Sequence, residues 1–438
     1  MTEQTFETRS IEAARSQPQF QAETLRWLQP LREQSLEQLA ELGFPTRKTE
    51  IWRYTSIYPL TQGDFLRPAP AQDTGSDFAI PGLDSYCLVF QNGVLDVQRS
   101  QLDGLPFEVV PFSQASGEQQ EFIRQHLGTL VGSQDHPFAL LNTGWLQEGL
   151  LIRIAKEQRL DKPIQVVFDH SEASNSYTAQ PRLLVQVEHH GEAVLIEQHL
   201  AQPGNTEIFT NTVTEVFMAE GAKLTHYQLN LEPENVLHVG NVQVSLAAHA
   251  QYESHQFSLA GKLKRRDLEV DLNQSGANAR LFAIYLGRNS QHVDYRTVLN
   301  HRAAHCTSEE LVKGVLRDEA RAVFNGRIHI YPDAQQTLAE MNNRNLLLSK
   351  NAEVNTKPEL EIYADDVKCA HGATVGQIDK ESLFYLRSRG IDSAEAYRIL
   401  SDAFVYEVLD QMPQPEILAY VSRWVEEFHD RVVLEESL

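Results

Sequence analysis

Small residues fall in similar turns at Ala193, Ala222, Ala250, Ala277 and Ala304, at successive spacings of 29, 28, 27 and 27 residues. A recurrence in this range restricts the fold more than any other feature of the chain. One unit of that length cannot bury its apolar face alone, so a neighbour must stack on it. The segments between the turns alternate with period two. Leu183, Val185 and Val187 put apolar side chains on one face of a strand, as do Val242, Val244 and Leu246, and Leu268, Val270 and Leu272. No helical pattern intervenes, so a β-helix or stack of β-rungs is predicted from about residue 162 to about 376. A large β-sandwich with evenly spaced turns is the alternative.

Both ends read as helical. In "FQAETLRWLQPLREQSLEQLAELGFP", Leu25, Leu28, Leu36 and Leu39 have helix-like spacing, Pro30 divides the run, and Gly43 with Pro45 stops it. The Pro/Gly/Asp-rich stretch "RPAPAQDTGSDFAIPG" then reads as a linker. After Asp379, "KESLFYLRSR" ends at Gly390, and Asp392 with Glu395 resembles a capping box. The next helix carries Ala396, Leu400, Phe404 and Val408 on one face, and the last carries Val421, Trp424, Val425, Phe428 and Val432. The expected organisation is a helical region and linker over 1–80, a β-rich region over 81–378 and a C-terminal helical region over 379–438. The terminal helices are expected to cap the solenoid.

A chain of 438 residues exceeds one ordinary compact core, which suits several domains or one elongated array. Its formal charge of -22 argues against binding a phosphate backbone, so nucleic acid is not an expected partner. The N-terminus lacks the basic head and apolar run of a signal peptide, and no segment approaches a membrane span, so a cytoplasmic location is expected. Three widely spaced cysteines, Cys87, Cys306 and Cys369, make no CxxC pair and no disulfide framework.

Phosphate-binding loops and GxSxG are absent, which weakens enzymatic readings. Two groups remain as candidates for chemistry. In "HRAAHC", His301 and His305 would share a helix face as a ligand pair, but in a strand the two lie about 13 Å apart. In "DDVKCAHGATVGQID", Val367, Cys369 and His371 share one strand face. The apolar Val367 turns that face inward, which favours a packed Cys369. Gly372 is expected to end the strand and leave His371 at an edge. Cys plus His supplies two ligands where a closed zinc site needs four, so a partner would have to complete any metal site. A Cys–His nucleophile and base has no third group to activate it.

That stretch, followed by "LFYLRSRGI" and preceded by "VFNGRIHIYPDAQQT" and "NRNLLLSKNAEVNTKPELEIYADDVKC", resembles the D-type subunits of the SufB/SufD family, scaffolds of the SufBCD iron–sulfur cluster assembly complex. "KTEIWRYT", Lys48 to Thr55, resembles the family motif that joins the helical domain to the core. B-type subunits carry an "EHEA"-like sequence where this chain has "AHGA", Ala370 to Ala373. Gln336, Leu338 and Met341 depart from the family pattern.

The resemblance implies a mainly β fold, a right-handed parallel β-helix between helical ends, and a scaffold rather than an enzyme. It further implies pairing with the SufB paralogue through the β-helix cores and binding of the ABC-type ATPase SufC through the C-terminal helices, at Arg389, Gly390, Ile391, Ala403 and Phe404. His371 matches the family's D-side histidine at the shared cluster site, with Cys369 as a weaker candidate. No cofactor is expected to stay bound to the isolated chain; iron or a nascent iron–sulfur cluster would be held transiently in the complex. The isolated chain is expected to form a homodimer through the surface meant for its paralogue. A β-helix carbohydrate-active enzyme and a self-contained metalloprotein are the alternatives.

Overall fold

A computed structural model of the chain describes residues 5–17, 23–68, 77–131 and 136–430. Part of the linker between Arg67 and Gly82 lies outside the described residues, and so does Val432. The protein is mainly β, with 41% strand against 25% helix, and its centre is a parallel β-solenoid of about eight turns. Successive strands alternate between two sheets. One sheet runs from the hairpin Tyr86–Gln91 and Val94–Leu95 through Ile164–His170, Glu192–Ala201, Lys223–Asn230, Gln251–Leu259, Asn278–Gly287, Thr307–Leu316 and Thr337–Leu347 to Val367–Gly376. The other runs from Glu108–Pro111 and Gly149–Ile154 to Arg321–Ile330 and Glu353–Ile362.

The recurrence in the sequence has a specific backbone cause. At one corner of each rung the residues Gly191, Ala222, Ala250, Ala277 and Cys306 stack, and each carbonyl accepts from the amide that opens the next rung. Lys223 donates to Gly191, Gln251 to Ala222, Asn278 to Ala250, Thr307 to Ala277 and Leu338 to Cys306, over 2.8–3.2 Å. The residue just before each corner is left-handed, with φ of 55° at His190, 67° at Gly221, 57° at His249, 75° at Gly276 and 62° at His305. Glycine takes this conformation freely, and histidine is enriched there among other residues. The middle three alanines of the sequence pattern occupy this corner, whereas Ala193 and Ala304 each miss it by two positions. Gly191 and Cys306 hold those places.

Inward residues fill the lumen in two halves. Toward this corner the filling is apolar, with Ala193, Leu195, Leu224, Val242, Val244, Leu268 and Val270 buried in one cluster. Toward the far end of the strands the same inward faces carry Glu197, His199, His226, Gln228, His238 and Arg266, also fully or almost fully buried. Gly240 has no side chain because a Cβ there would meet Arg266 Nη1 at 2.2 Å.

The helices lie along the flanks of the solenoid and not across its ends, which corrects the capping expectation. Phe6–Ser16, Gln29–Leu42 and Pro137–Trp145 pack Ile11, Leu36, Leu39, Phe138 and Trp145 on Phe209, Leu237 and Leu263 of one sheet. Ser393–Leu409 and Pro415–Asp430 pack Val405, Val408, Val421, Val425 and Phe428 on Ile196, Leu229, Phe257 and Ile284 of the other. The middle strands are therefore buried on both faces, as parallel sheets require, where period two alone had implied one. Of the stripe read on Ser393–Leu409, Ala396 and Val408 are buried, while Leu400 and Phe404 are half-buried because Val405 faces the sheet. Asp392 caps this helix by accepting from the Glu395 amide at 2.9 Å.

The motif "KTEIWRYT" fastens the N-terminal helices to the solenoid. Trp52 lies buried against Phe138, with the Arg265 guanidinium 3.9 Å from its ring centre. Arg265 pairs with Asp294 at 2.6 Å, and Thr55 Oγ1 donates to the same carboxylate at 2.5 Å. Trp52→Ala should therefore destabilise the fold by about 3–5 kcal/mol, read as a lowered chemical-denaturation midpoint; a loss below about 1 kcal/mol would mean the motif is peripheral.

Glu310 is buried in the lumen, and burial pushes its carboxyl up to about 7, an effect that the Thr297 hydroxyl only partly offsets. The folded state then binds a proton that the unfolded state has lost between about pH 4.5 and 7. Stability must fall as pH rises through that window. Glu310→Gln should match the parent below pH 4.5 and exceed it by up to about 3 kcal/mol above pH 7; parallel pH–stability curves for the two proteins would refute this account.

Candidate metal-ligating end and partner surface

The solenoid finishes on two open strands. Glu353–Ile362 pairs only with Arg321–Ile330, and Val367–Gly376 pairs only with Thr337–Leu347, so each sheet ends on an edge. No residue of either strand is buried, unlike the middle rungs. An unpaired strand offers a row of free backbone donors and acceptors to another chain.

Val367–Gly376 runs straight through Gly372, which corrects the expectation that the strand stops there. His371 is exposed because the sheet ends at its strand, not because the strand ends beside it. In register it lies on Met341, which is fully buried, and Met341 lies on Glu310. Cys369 lies on Ala339 and packs against the lumenal core while remaining half-buried. Burial raises its thiol pKa, which disfavours the thiolate a metal or an electrophile would need. His371 and Cys369 thus stand on one face of the end rung, the imidazole open and the thiol half-covered.

The structure does not bring "HRAAHC" together as a site. His301 points into the lumen and shares a 2.9 Å hydrogen bond with Ser308 Oγ, and burial lowers its pKa to about 4. His305 is the exposed left-handed residue of a corner, and Cys306 is the buried residue after it. Their pattern serves the turn.

Along the flank, Lys380–Ser388 has no buried residue and carries Phe384 at 73% and Tyr385 at 56% exposure. Tyr406 on the next helix is 58% exposed. Arg389 stands 5.1 Å from the Tyr385 ring centre, and Gly390 ends the helix with a φ of 87°. Ile391 is half-buried and Ala403 exposed. Phe404 is partly covered by the solenoid: Lys313 Nζ lies 4.7 Å from its ring centre and donates to its carbonyl at 2.6 Å. Lys313 also pairs with Glu407 at 2.5 Å, locking this helix to the sheet. Sequence reasoning missed Phe384, Tyr385 and Tyr406. The signal was present, since Phe384 and Tyr385 are adjacent aromatics in a short helix that cannot both turn toward one core.

Residues 169–404 match the family model described as "SUF system FeS cluster assembly, SufBD core domain", and residues 14–166 match "SufBD protein N-terminal region". The iron–sulfur cluster assembly protein SufD of Escherichia coli is 34% identical over 87% of this chain and 89% of its own length. An iron–sulfur cluster assembly SufBD family protein of Synechocystis sp. is 30% identical over 87% of each chain. The SufD protein of Bacillus subtilis is 26% identical over 88% of this chain and 90% of its own length. These matches cover the helical flank, the solenoid and its open end together. The chain belongs to the SufBD family of iron–sulfur cluster assembly proteins.

Proposed function

We propose that this chain is a non-catalytic, D-type scaffold subunit that pairs its open end rung with a SufB paralogue and presents His371 to a nascent cluster at that contact. The observation that carries the reading is the pair of uncovered edge strands, Glu353–Ile362 and Val367–Gly376, with an exposed imidazole in the second. An imidazole binds iron more weakly than a thiolate does, which suits a cluster that must be passed on. Cys369 supports the fold of the end rung more than it supplies a ligand, since its thiol is half-buried and its pKa raised. Iron acquisition by the complex is part of the same role.

The uncovered aromatic face of Lys380–Ser388 suits docking of the SufC ATPase, because exposed aromatic clusters mark protein contacts. Helices locked to the sheet through Lys313 and Glu407 would transmit ATP-driven movement of the ATPases to the solenoid. No helix among the described residues is long and apolar enough to cross a membrane. The compartment we propose is the cytoplasm.

His371→Ala should lower cluster formation in the reconstituted complex several-fold and leave the melting temperature within about a degree, because exposed substitutions cost within about 0.5 kcal/mol. Unchanged cluster content would remove the ligand role. Phe384→Asp should weaken ATPase capture by at least about tenfold, a loss of roughly 1.4 kcal/mol, while pairing with the paralogue persists. Equal ATPase capture by this variant would place the docking surface elsewhere.

A further inference from the structure

The polar half of the lumen contains a second grouping of ligand-type side chains, distant in sequence from His371. His199 on Glu192–Ala201, Glu232 just beyond Lys223–Asn230, and His238 on Val236–Leu246 converge there, all at 0–1% exposure. Their ligand atoms lie within 4.8 Å of one another, the one such group of three among the described residues. His238 Nδ1 is 3.0 Å from Glu232 Oε1. Metal bonds of about 2.0–2.2 Å to nitrogen and oxygen set ligands roughly 3–3.5 Å apart. Two of the three are already at that spacing, and the third needs a shift of about an ångström.

His199 supplies the independent sign of an occupant. It is fully buried, stacked on Phe168 at 4.6 Å between ring centres, and neither ring nitrogen makes a hydrogen bond. Its nearest carboxylate, Glu197, stands 3.6 Å from Nε2, beyond hydrogen-bond range. A buried imidazole with no hydrogen bond costs stability unless something else fills its lone pair. Two imidazoles and one carboxylate form a donor set suited to Fe(II) or Zn(II). We propose that the solenoid lumen binds a divalent first-row transition ion between His199, Glu232 and His238.

The surroundings hold a cavity and competing charges. A cavity of about 570 Å³ beside the last helix is lined by Glu232 and by Leu200 and Ala201, the two residues after His199. Of the three ligands, Glu232 is the one that borders it. Two cations resist the ion. Lys264 Nζ is 3.5 Å from Glu232 Oε2 and donates to the Glu232 carbonyl at 2.6 Å, so the ion must take over that carboxylate. Arg266 Nη1 faces His238 Nε2 at 2.8 Å, which keeps the ring proton on Nδ1, toward Glu232. With the ion on Nδ1 that proton moves to Nε2, and the guanidinium retains its contact with Gln228 alone. The ring stays neutral throughout.

The test uses the full chain carrying His371→Ala, without a histidine tag, so that the end rung contributes no ligand. Equilibrium dialysis against Co(II), with the visible absorption spectrum of the bound ion, should show one tightly held equivalent with nitrogen ligation. His199→Phe keeps the stack on Phe168 and should lower the affinity by at least about tenfold, as loss of a direct ligand costs no less than loss of its supporting contacts. Glu232→Gln, nearly the same shape, should do the same. Lys264→Met removes the competing cation and should tighten binding. Absence of a stoichiometric ion in the parent, equal affinity in folded His199→Phe and Glu232→Gln proteins, or unchanged affinity in Lys264→Met would overturn the proposal. The scaffold role of the end rung stands or falls separately, because every measurement is made on the isolated chain lacking His371.

Discussion

The left-handed corner is the constraint on which the rest of the structure depends. A parallel ladder can continue from rung to rung only if the chain reverses direction in the same way each time, and the corner residue must then be small enough to lie against the next. Gly221 and Gly276 meet the backbone requirement at no steric cost, and His190, His249 and His305 meet it at some cost. Their rings lie where a glycine leaves room: a Cβ at Gly221 would meet His190 Nδ1 at 2.2 Å, and one at Gly276 would meet His249 Nδ1 at 2.3 Å. Glycine and histidine alternate through the middle rungs, whereas Glu157 below His190 and Gln336 above His305 take the same left-handed position with φ of 59° and 57°.

This also explains what was legible in the sequence. The spacing of small residues and the period-two strands are direct images of the corner and the pleat, so the solenoid could be read from them. The offsets at Ala193 and Ala304 arose because Gly191 and Cys306 satisfy the same corner with different side chains. The flanking helices could be read as amphipathic, but their placement could not. Whether an apolar stripe covers an end or a side depends on which outer strand residues are apolar, and Ile196, Leu229, Phe257 and Ile284 show that only once strand faces are assigned. His371 could be read through its motif and strand parity, whereas its exposure arises from the missing neighbour strand. The lumenal His199, Glu232 and His238 were not legible, since turns and neighbouring strands separate them and only the rung register brings them together.

The two ends of function are built from different physics. Along the flanks, apolar surface is buried between sheet and helix, and one short helix is left with its aromatic residues in solvent. At the terminal rung it is backbone hydrogen bonding that is left incomplete, with a single imidazole in the row. The first kind of surface favours a partner with a complementary pocket, and the second favours a partner with a strand. The two surfaces lie apart on the chain, one on the flank and one at the end rung, so partners seated on them would not compete.

The terminal rung has a further consequence. In a stack of units that touch only their neighbours, the last unit has one stabilising interface where the others have two, and opening proceeds most readily from it. Glu353–Ile362 and Val367–Gly376 therefore form the least cooperative part of the ladder. One restraint offsets this: Lys357 on the first of these strands pairs with Glu50 at 2.8 Å, beside Trp52. A partner strand seated on the end would supply the missing interface where the array is weakest, so assembly would act on lifetime as well as on chemistry, slowing the fraying of the chain that it joins.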